Sequence, residues 1–486
     1  MSADRSSADG ATAAVPAGPV ALDADAMGEP PLRGTLSGLR IGLIWLAANL
    51  VVTTLLTGTL FVPGVPYAEA LGWIVLGTLL GAVVLTLIAV MGVRTGLPTM
   101  SLTRGSFGLR GSIVPAIANV VILMGWSWVQ AMLAGISLNA LVEQWTGFSN
   151  PALFSALCEA VVVGLAIFGH EGIARIEPFF ALVILVITAF IFGAAFTQHA
   201  PSEYLAIPAD PSGYDGITVF DIVFATAISW TVLSADLTRS AKTQAGGAIG
   251  AGVGYSLSTI ITMALGLTAA SFVLLGGGEV LPFDPTMLIG SFGAPVAIAM
   301  FLSVMATNTM VMYGMTVSVT HALPRRRPLP FIGTALVLGV IAVIGSTWLG
   351  LLEQFTSFLS LIGALFIPVF AIMIVDYYLA RRRVYRADIL RHSGGRYWFT
   401  GGWNLGALIV WAIGAGAYLV FYFIVPTPIG AALPTFAVAF LLYWLWTKAA
   451  RIDEDPDAVS QHLADAVQAG DAASAAASPD ATDRRR

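Results

Sequence analysis

The sequence predicts an all-α integral membrane protein of twelve transmembrane helices. Three observations predict it: too little charge for a water-facing surface, apolar segments of bilayer-spanning length, and positive charge confined to alternate connections. Of 486 residues, 57% are hydrophobic and only 10% are charged, with a mean hydropathy of +0.84, whereas soluble domains carry roughly a quarter charged residues. Most of the chain therefore has lipid as its solvent, and a globular soluble enzyme is excluded. The single cysteine, Cys158, allows no disulfide framework and no cysteine-ligated metal cluster. The formal net charge of −5 says little, because in a membrane protein placement matters more than the sum.

A hydrocarbon core about 30 Å thick takes about 20 apolar residues at 1.5 Å rise. Such segments recur over 41–62, 71–92, 113–142, 151–169, 177–197, 217–235, 247–275, 290–319, 329–349, 352–379, 404–425 and 429–447. The sixth is short and polar for its position. Residues 1–32, rich in Ala, Gly, Pro, Ser and Asp, and 448–486, rich in Ala and Asp, bury too little apolar surface to fold and read as disordered cytoplasmic tails. No signal-peptide h-region precedes the first segment, which keeps the N-terminus in the cytoplasm.

The charges give the orientation. Arg5, Arg33 and Arg40 precede span 1; Arg94, Arg104 and Arg110 lie between spans 2 and 3; Arg175 between 4 and 5; Arg239 and Lys242 between 6 and 7. Arg325, Arg326 and Arg327 follow span 8, the arginines between 381 and 396 follow span 10, and Lys448, Arg451 and the arginines at 484–486 follow span 12. The connections at 61–70, 198–216 and 276–286 contain none. Alternation of this kind is what the positive-inside rule requires of an even-numbered bundle with both termini cytoplasmic. The chain is expected to be a multi-pass protein of the cell's inner (plasma) membrane.

Polar side chains at mid-depth are costly in lipid and by default face the bundle interior. Span 1 carries Asn49, followed by Thr53, Thr54, Thr57 and Gly58; span 3 carries Trp126, Ser127, Trp128 and Gln130; span 6 carries Ser229, Trp230 and Thr231; span 8 carries Thr307, Asn308 and Thr309. In span 3, Asn119, Trp126 and Gln130 are separated by seven and four residues and form one stripe, whereas Trp128 points almost the opposite way. An indole and an amide on one face can stack on a flat ring and hydrogen-bond its edge. The same pair serves equally as packing residue and helix-to-helix glue. Spans 1 and 6 start on opposite sides of the membrane, as do spans 3 and 8. The polar pairs thus fall at the first and third positions of two five-helix units of opposite orientation, the layout of inverted-repeat transporters with a broken helix opening each unit.

At these residues the chain resembles the nucleobase–cation symporter family, the purine–cytosine and hydantoin–allantoin permeases. The resemblance covers about 32–425. It is carried by Trp45-Leu-Ala-Ala-Asn49 with Thr57-Gly58, Thr103-Arg-Gly-Ser-Phe-Gly108 with Arg110-Gly111, Gly125-Trp126, Ser234-Ala-Asp236 with Arg239, Ala306-Thr-Asn308 with Tyr313, Asp376-Tyr377-Tyr378, and Gly395-Arg-Tyr397 with Gly401-Gly-Trp-Asn404. It implies a leucine-transporter-type core over 33–380 (repeats about 33–200 and 215–380), a cytoplasmic loop over 381–403 and two peripheral helices over 404–447. Spans 1 and 6 would be unwound in the middle.

The implied activity is import of a nucleobase or related flat heterocycle (cytosine, purine, uracil, allantoin or hydantoin class) by proton or sodium symport. The ring would be held between aromatics of spans 3 and 6. By motif position Trp126 is one stacking face, Gln130 and Asn308 are edge partners, Asn49 lies in the span 1 break, and Trp230 is the span 6 aromatic. The cation would sit between span 1 carbonyls near Leu46 and Asn49 and the Thr307 hydroxyl, oxygen ligands that suit a hard ion. Two positions depart from the pattern. Measured back from Asp236, the stacking position of hydantoin-type members falls near Ala227, about a turn from Trp230. Ala306 stands where sodium-coupled members can carry a second hydroxyl.

No cofactor, no metal beyond a sodium ion, no nucleic acid and no partner chain is expected; the protein reads as a monomer in the bilayer. Glu159, inside span 4 about two turns from its outer end, reads either as a proton-relay carboxylate or as a side chain reaching water. Asp236 reads as a helix-end or cytoplasmic gate contact. The histidines at 170, 199, 321, 392 and 462 lie in loops, span ends or tails and anchor no mid-depth haem or metal. The rival readings are an amino-acid or amine permease on the same fold, which would bind a carboxylate at bare helix N-termini, an integral-membrane enzyme, which would show clustered catalytic groups at one surface, and a channel, which would carry a charged ring.

Overall fold

The computed structural model describes residues 31–168, 170–321 and 329–452 together with 463 and 465, and among these the side chains of all but 170–181 and 321. Span 1 is the pair Gly38–Asn49 and Val52–Thr59, and span 6 the pair Gly216–Thr231 and Ser234–Thr238. Spans 2 to 5 are Tyr67–Thr95, Ile113–Thr146, Pro151–Phe168 and His170–Gln198; spans 7 to 9 are Gln244–Leu275, Ala294–His321 and Phe331–Ser346. Span 10 is Phe355–Ile374, extended by a π-helical turn Val375–Ala380, and spans 11 and 12 are Leu405–Phe423 and Ala432–Ala449. Among the described residues β-structure is limited to two isolated bridges, Leu36 with Ala241 and Thr400 with Trp403. Among them, too, eight helices are long and apolar enough to cross a bilayer and the bent pair of span 1 makes a ninth; shorter apolar helices lie in spans 5, 6 and 9. Leucines, valines and isoleucines such as Val83, Val337 and Ile409 stay exposed on the outside of the bundle, as lipid contact requires.

The break in span 1 follows from its sequence. Val51, Val52, Thr53 and Thr54 form a β-branched run that loses rotamer freedom in a helix; Val51 is extended (φ −130°, ψ 155°), and the two halves meet at 60°. Side chains steady the opening: Thr54 Oγ1 donates to Asn49 Oδ1 at 3.1 Å, and Asn49 Nδ2 donates to Thr259 Oγ1 at 2.5 Å and Ser258 Oγ at 3.2 Å on span 7. Span 6 breaks at Val232 and Leu233. The break is the one the resemblance implied, and the shortness and polarity of the segment read at 217–235 belong to a helix in two pieces that runs on to Thr238. The broken spans are tied together, with Trp45 Nε1 donating to Thr238 Oγ1 at 2.9 Å and the Trp45 and Trp230 rings meeting edge to face at 6.3 Å.

Spans 1 and 7 approach through small residues. Gly38 and Gly42 face Gly246, Gly250 and Gly254, and a Cβ added at Gly250 would lie 2.5 Å from the Gly38 carbonyl oxygen, the small-xxx-small packing of membrane helices.

Connections differ from expectation in three places. The Arg-bearing connection between spans 2 and 3 contains a buried helix, Thr99–Phe107. Span 8 starts at Ala294 and not at 290, because a separate short helix, Pro285–Phe292, ends at Gly293 with φ +81°. Span 5 starts at His170, so Arg175 lies on a helix and not in a loop.

On the basic face, Asp376 at the end of span 10 pairs with Arg381 Nε at 3.0 Å and accepts from Tyr385 Oη at 2.9 Å and Tyr443 Oη at 3.0 Å, fastening span 12 and the 381–403 connection to the core. Residues 1–30 and most of 453–486 lie outside the described residues; Leu463 is buried and Asp465 pairs with Arg33.

Candidate binding site and translocation cavity

Spans 1, 3, 6 and 8 and the Thr99–Phe107 helix enclose a cavity of about 330 Å³, within the range of small-molecule pockets. Ala48, Asn119, Trp230, Asp236, Thr307 and Arg104 line it. Ser112 at the start of span 3 and Ser318 near the end of span 8 lie at its mouth, so it opens toward the face that carries the basic connections. Toward the opposite face stands an aromatic cluster: Trp126 meets Phe355 and Phe358 edge to face at 5.9 and 5.4 Å, and Phe283 stacks on Phe355 at 3.6 Å.

The residues singled out from sequence divide into two groups. Trp230 and Thr307 face the cavity. Thr307 Oγ1 donates to the Ser303 carbonyl at 2.9 Å, leaving its lone pairs for another partner. Trp126, Gln130, Asn49 and Asn308 do not line the cavity. Trp126 Nε1 donates to Ser229 Oγ at 2.8 Å, which joins spans 3 and 6 beside Trp230. Gln130 is buried. Trp128 points away as its position predicts, donating to the Ile341 carbonyl at 3.3 Å and packing on Gly345 of span 9.

Asn308 is held from behind by two groups. Its Nδ2 donates to Glu159 Oε2 at 2.6 Å and to the Ser127 carbonyl at 3.3 Å, while Ser127 Oγ donates to Glu159 Oε1 at 2.7 Å. Glu159 is fully buried, so in this conformation it does not reach water. Of the span 1 groups considered for a cation, the Leu46 carbonyl accepts the Leu50 N–H at 3.1 Å and Asn49 Oδ1 accepts from Thr54. Asp236 accepts the Thr99 N–H at 2.9 Å while lining the cavity, which puts it where a gate contact was expected. Among the described residues no group of three or more His, Cys, Asp or Glu could hold a metal ion.

Arg104, placed by sequence in the connection between spans 2 and 3 and within the Thr103–Gly108 motif, was given no site role there. The side chain is only 5% exposed and lines the cavity, and burial lowers its guanidinium to about 10. Sequence reasoning also missed the aromatic cluster, because Phe355 and Phe358 look like ordinary core residues in an apolar run and Phe283 lies in the connection over 276–286.

Comparison with known proteins adds the following. A family described as permease for cytosine/purines, uracil, thiamine, allantoin matches residues 37–444. The chain is 29% identical over 378 residues to the putative purine-cytosine permease YxlA of Bacillus subtilis, covering 73% of this chain and 78% of that protein. It is 26% identical over 417 residues to the purine-uracil permease NCS1 of Arabidopsis thaliana, covering 79% and 68%. The inward-facing structure of Mhp1 superposes with a TM-score of 0.74 at 21% identity, covering 86% of this chain and 92% of that one.

Proposed function

Because this chain belongs to the family of permeases for cytosine/purines, uracil, thiamine and allantoin, we propose that it imports one small flat nitrogen heterocycle by cation symport. The observation that carries this reading is the cavity at the breaks of spans 1 and 6. An indole and several amide or hydroxyl groups line it, it extends toward the basic face, and an aromatic cluster stands toward the other. A ring entering from outside would pass Phe355 and Phe358 and, in an occluded state in which Trp126, Gln130 and Asn308 turn toward it, lie between Trp126 and the span 6 backbone beside Trp230 and hydrogen-bond through Gln130 and Asn308; in the present conformation these three stand behind the cavity. Opening toward the basic face would then release it past Asn119 and Arg104. Broken helices suit this because they expose backbone groups at mid-depth only where these line a cavity. The membrane is the cell's inner (plasma) membrane, both termini are cytoplasmic, and one chain contains the whole pathway.

The test is thermal stabilisation of the purified protein by cytosine, uracil, hypoxanthine, allantoin and hydantoin, with amino acids and amines as the competing panel. A ligand present at 100 times its dissociation constant adds about 2.7 kcal/mol, so one ring of the first panel should raise the melting temperature clearly. A shift from an amino acid or amine and from none of the rings would replace this substrate class.

A further inference from the structure

Glu159 lies near the middle of the 18-residue span 4 with no exposed surface. It accepts hydrogen bonds from Ser127 Oγ and Asn308 Nδ2 at 2.7 and 2.6 Å, and among the described residues no cation pairs with it. The helices packed on span 4 are spans 3, 5, 8 and 9, and their described side chains include no Lys, Arg or His. Their one described acid, Glu143, lies at the far end of span 3, bonded to Asn139 and Ser149. The other titratable neighbour is the buried thiol of Cys158. A carboxylate held at this depth without a counter-charge is costly. A neutral acid in its place needs an acceptor for its O–H. One is at hand, because Asn308 Oδ1 is buried and has no hydrogen-bond partner, and an amide can exchange its oxygen and nitrogen edges by turning over within nearly the same shape.

We propose that Glu159 carries the coupling proton of the transport cycle and that Asn308 reports its protonation to the substrate site. The inference rests on the transport reading above and specifies its coupling ion. On the outer side a hydronium ion gives its proton to Glu159 Oε2: an O–H bond forms and water is left. The Asn308 amide turns so that Oδ1 accepts from that O–H, and its N–H donors pass to the free edge, where Oδ1 had been. On the inner side the O–H bond breaks, water takes the proton, and the carboxylate again accepts from Ser127 and Asn308. A ring that prefers a donor on that edge binds the protonated form more tightly, and by reciprocity its binding favours protonation.

The test uses the full chain in proteoliposomes, with radiolabelled cytosine, uracil and hypoxanthine as probes, under either an imposed pH gradient (inside alkaline) or an imposed sodium gradient. Wild type should concentrate its ring about tenfold per pH unit, one proton per ring, and ignore sodium. Glu159→Gln should still exchange labelled for unlabelled ring across the membrane but concentrate none. Accumulation driven by sodium alone overturns the proposal. So does Glu159→Gln concentrating ring as wild type does, or losing only thermal stability while keeping the wild-type pH profile, which is what a packing role gives.

A second measurement needs no substrate. Infrared difference spectra on acidification should show a buried carboxylic-acid carbonyl band in wild type that is missing from Glu159→Gln, and the same band in both proteins overturns the proposal. If wild type moves none of the probes, the transport reading falls, while the infrared band still decides whether Glu159 takes up the proton.

Discussion

Trp126 and Trp128 stand two residues apart and have unrelated neighbours. The first donates to Ser229 beneath a cluster of aromatics, and the second packs on Gly345 at the interface with span 9. Stacking of a base on an aromatic is worth about 1–3 kcal/mol by truncation. Trp126→Ala is therefore expected to weaken ring binding by roughly one to two decades at 1.4 kcal/mol per decade. Trp128→Ala should instead lower unfolding stability by about 1–3 kcal/mol with affinity unchanged. Titration calorimetry and thermal melts on both variants decide it, and equal binding by the two would move the site away from span 3. Gln130 and Asn308 allow a finer comparison. Both leucine variants should change which ring is preferred, because each leaves a buried edge group of the ligand unpaired. Only Asn308→Leu should also alter the pH profile of uptake, since Asn308 and not Gln130 donates to Glu159. The stripe on span 3 made Gln130 legible in the sequence, and polarity at mid-depth made Asn308 so. Neither signal could show that Glu159, on another helix, holds the Asn308 amide.

At the scale of elements, the two-unit layout and the resemblance implied a break in span 1, and it falls at the β-branched run after Asn49. What holds the break is chemistry of a different kind from propensity: the hydroxyls of Ser258 and Thr259 on span 7 meet the Asn49 amide. Close approach of spans 1 and 7 depends on their facing glycines. Gly250→Leu is expected to force them apart and to cost about 1–3 kcal/mol of stability, read as a lowered melting temperature in detergent, whereas leucine at Gly72, where a Cβ meets nothing within 4 Å, should change little. A Gly250→Leu protein as stable as wild type would mean that the interface can slide.

Across the whole molecule, packing partners recur when span numbers are shifted by five. Span 1 packs on span 7 and span 6 on span 2; span 3 packs on span 4 and span 8 on span 9; span 8 packs on span 4 and span 3 on span 9. Two units of opposite orientation would leave this pattern. The one-sided Lys and Arg predict the orientation in the bilayer. A reporter inserted in 198–216 should read periplasmic and one fused after Arg451 cytoplasmic, and a cytoplasmic signal from the first would break the twelve-span topology. In a Cys158→Ala background, Ser318→Cys at the cavity mouth should react with a membrane-impermeant thiol reagent in inside-out vesicles and more slowly when the transported ring is present. Reaction only from the outer face would invert the assigned opening.

The sequence by itself determined the order of the apolar segments, the alternation of positive charge along the chain, the family, and the mid-depth polar residues. These depend on transfer of each segment from water to lipid and on charge placement, which composition and order alone express. Tertiary structure decided which of those polar residues share a cavity. Helical periodicity fixes the direction of a side chain around its own axis but not which helix stands opposite. Trp230 and Thr307 therefore came to face open space, while Asn49 and Asn308 were taken up by spans 7 and 4. Whether a polar group in a membrane bundle is free for a ligand depends on the hydrogen bonds its neighbours offer, and those neighbours lie about 150 to 210 residues away in the chain.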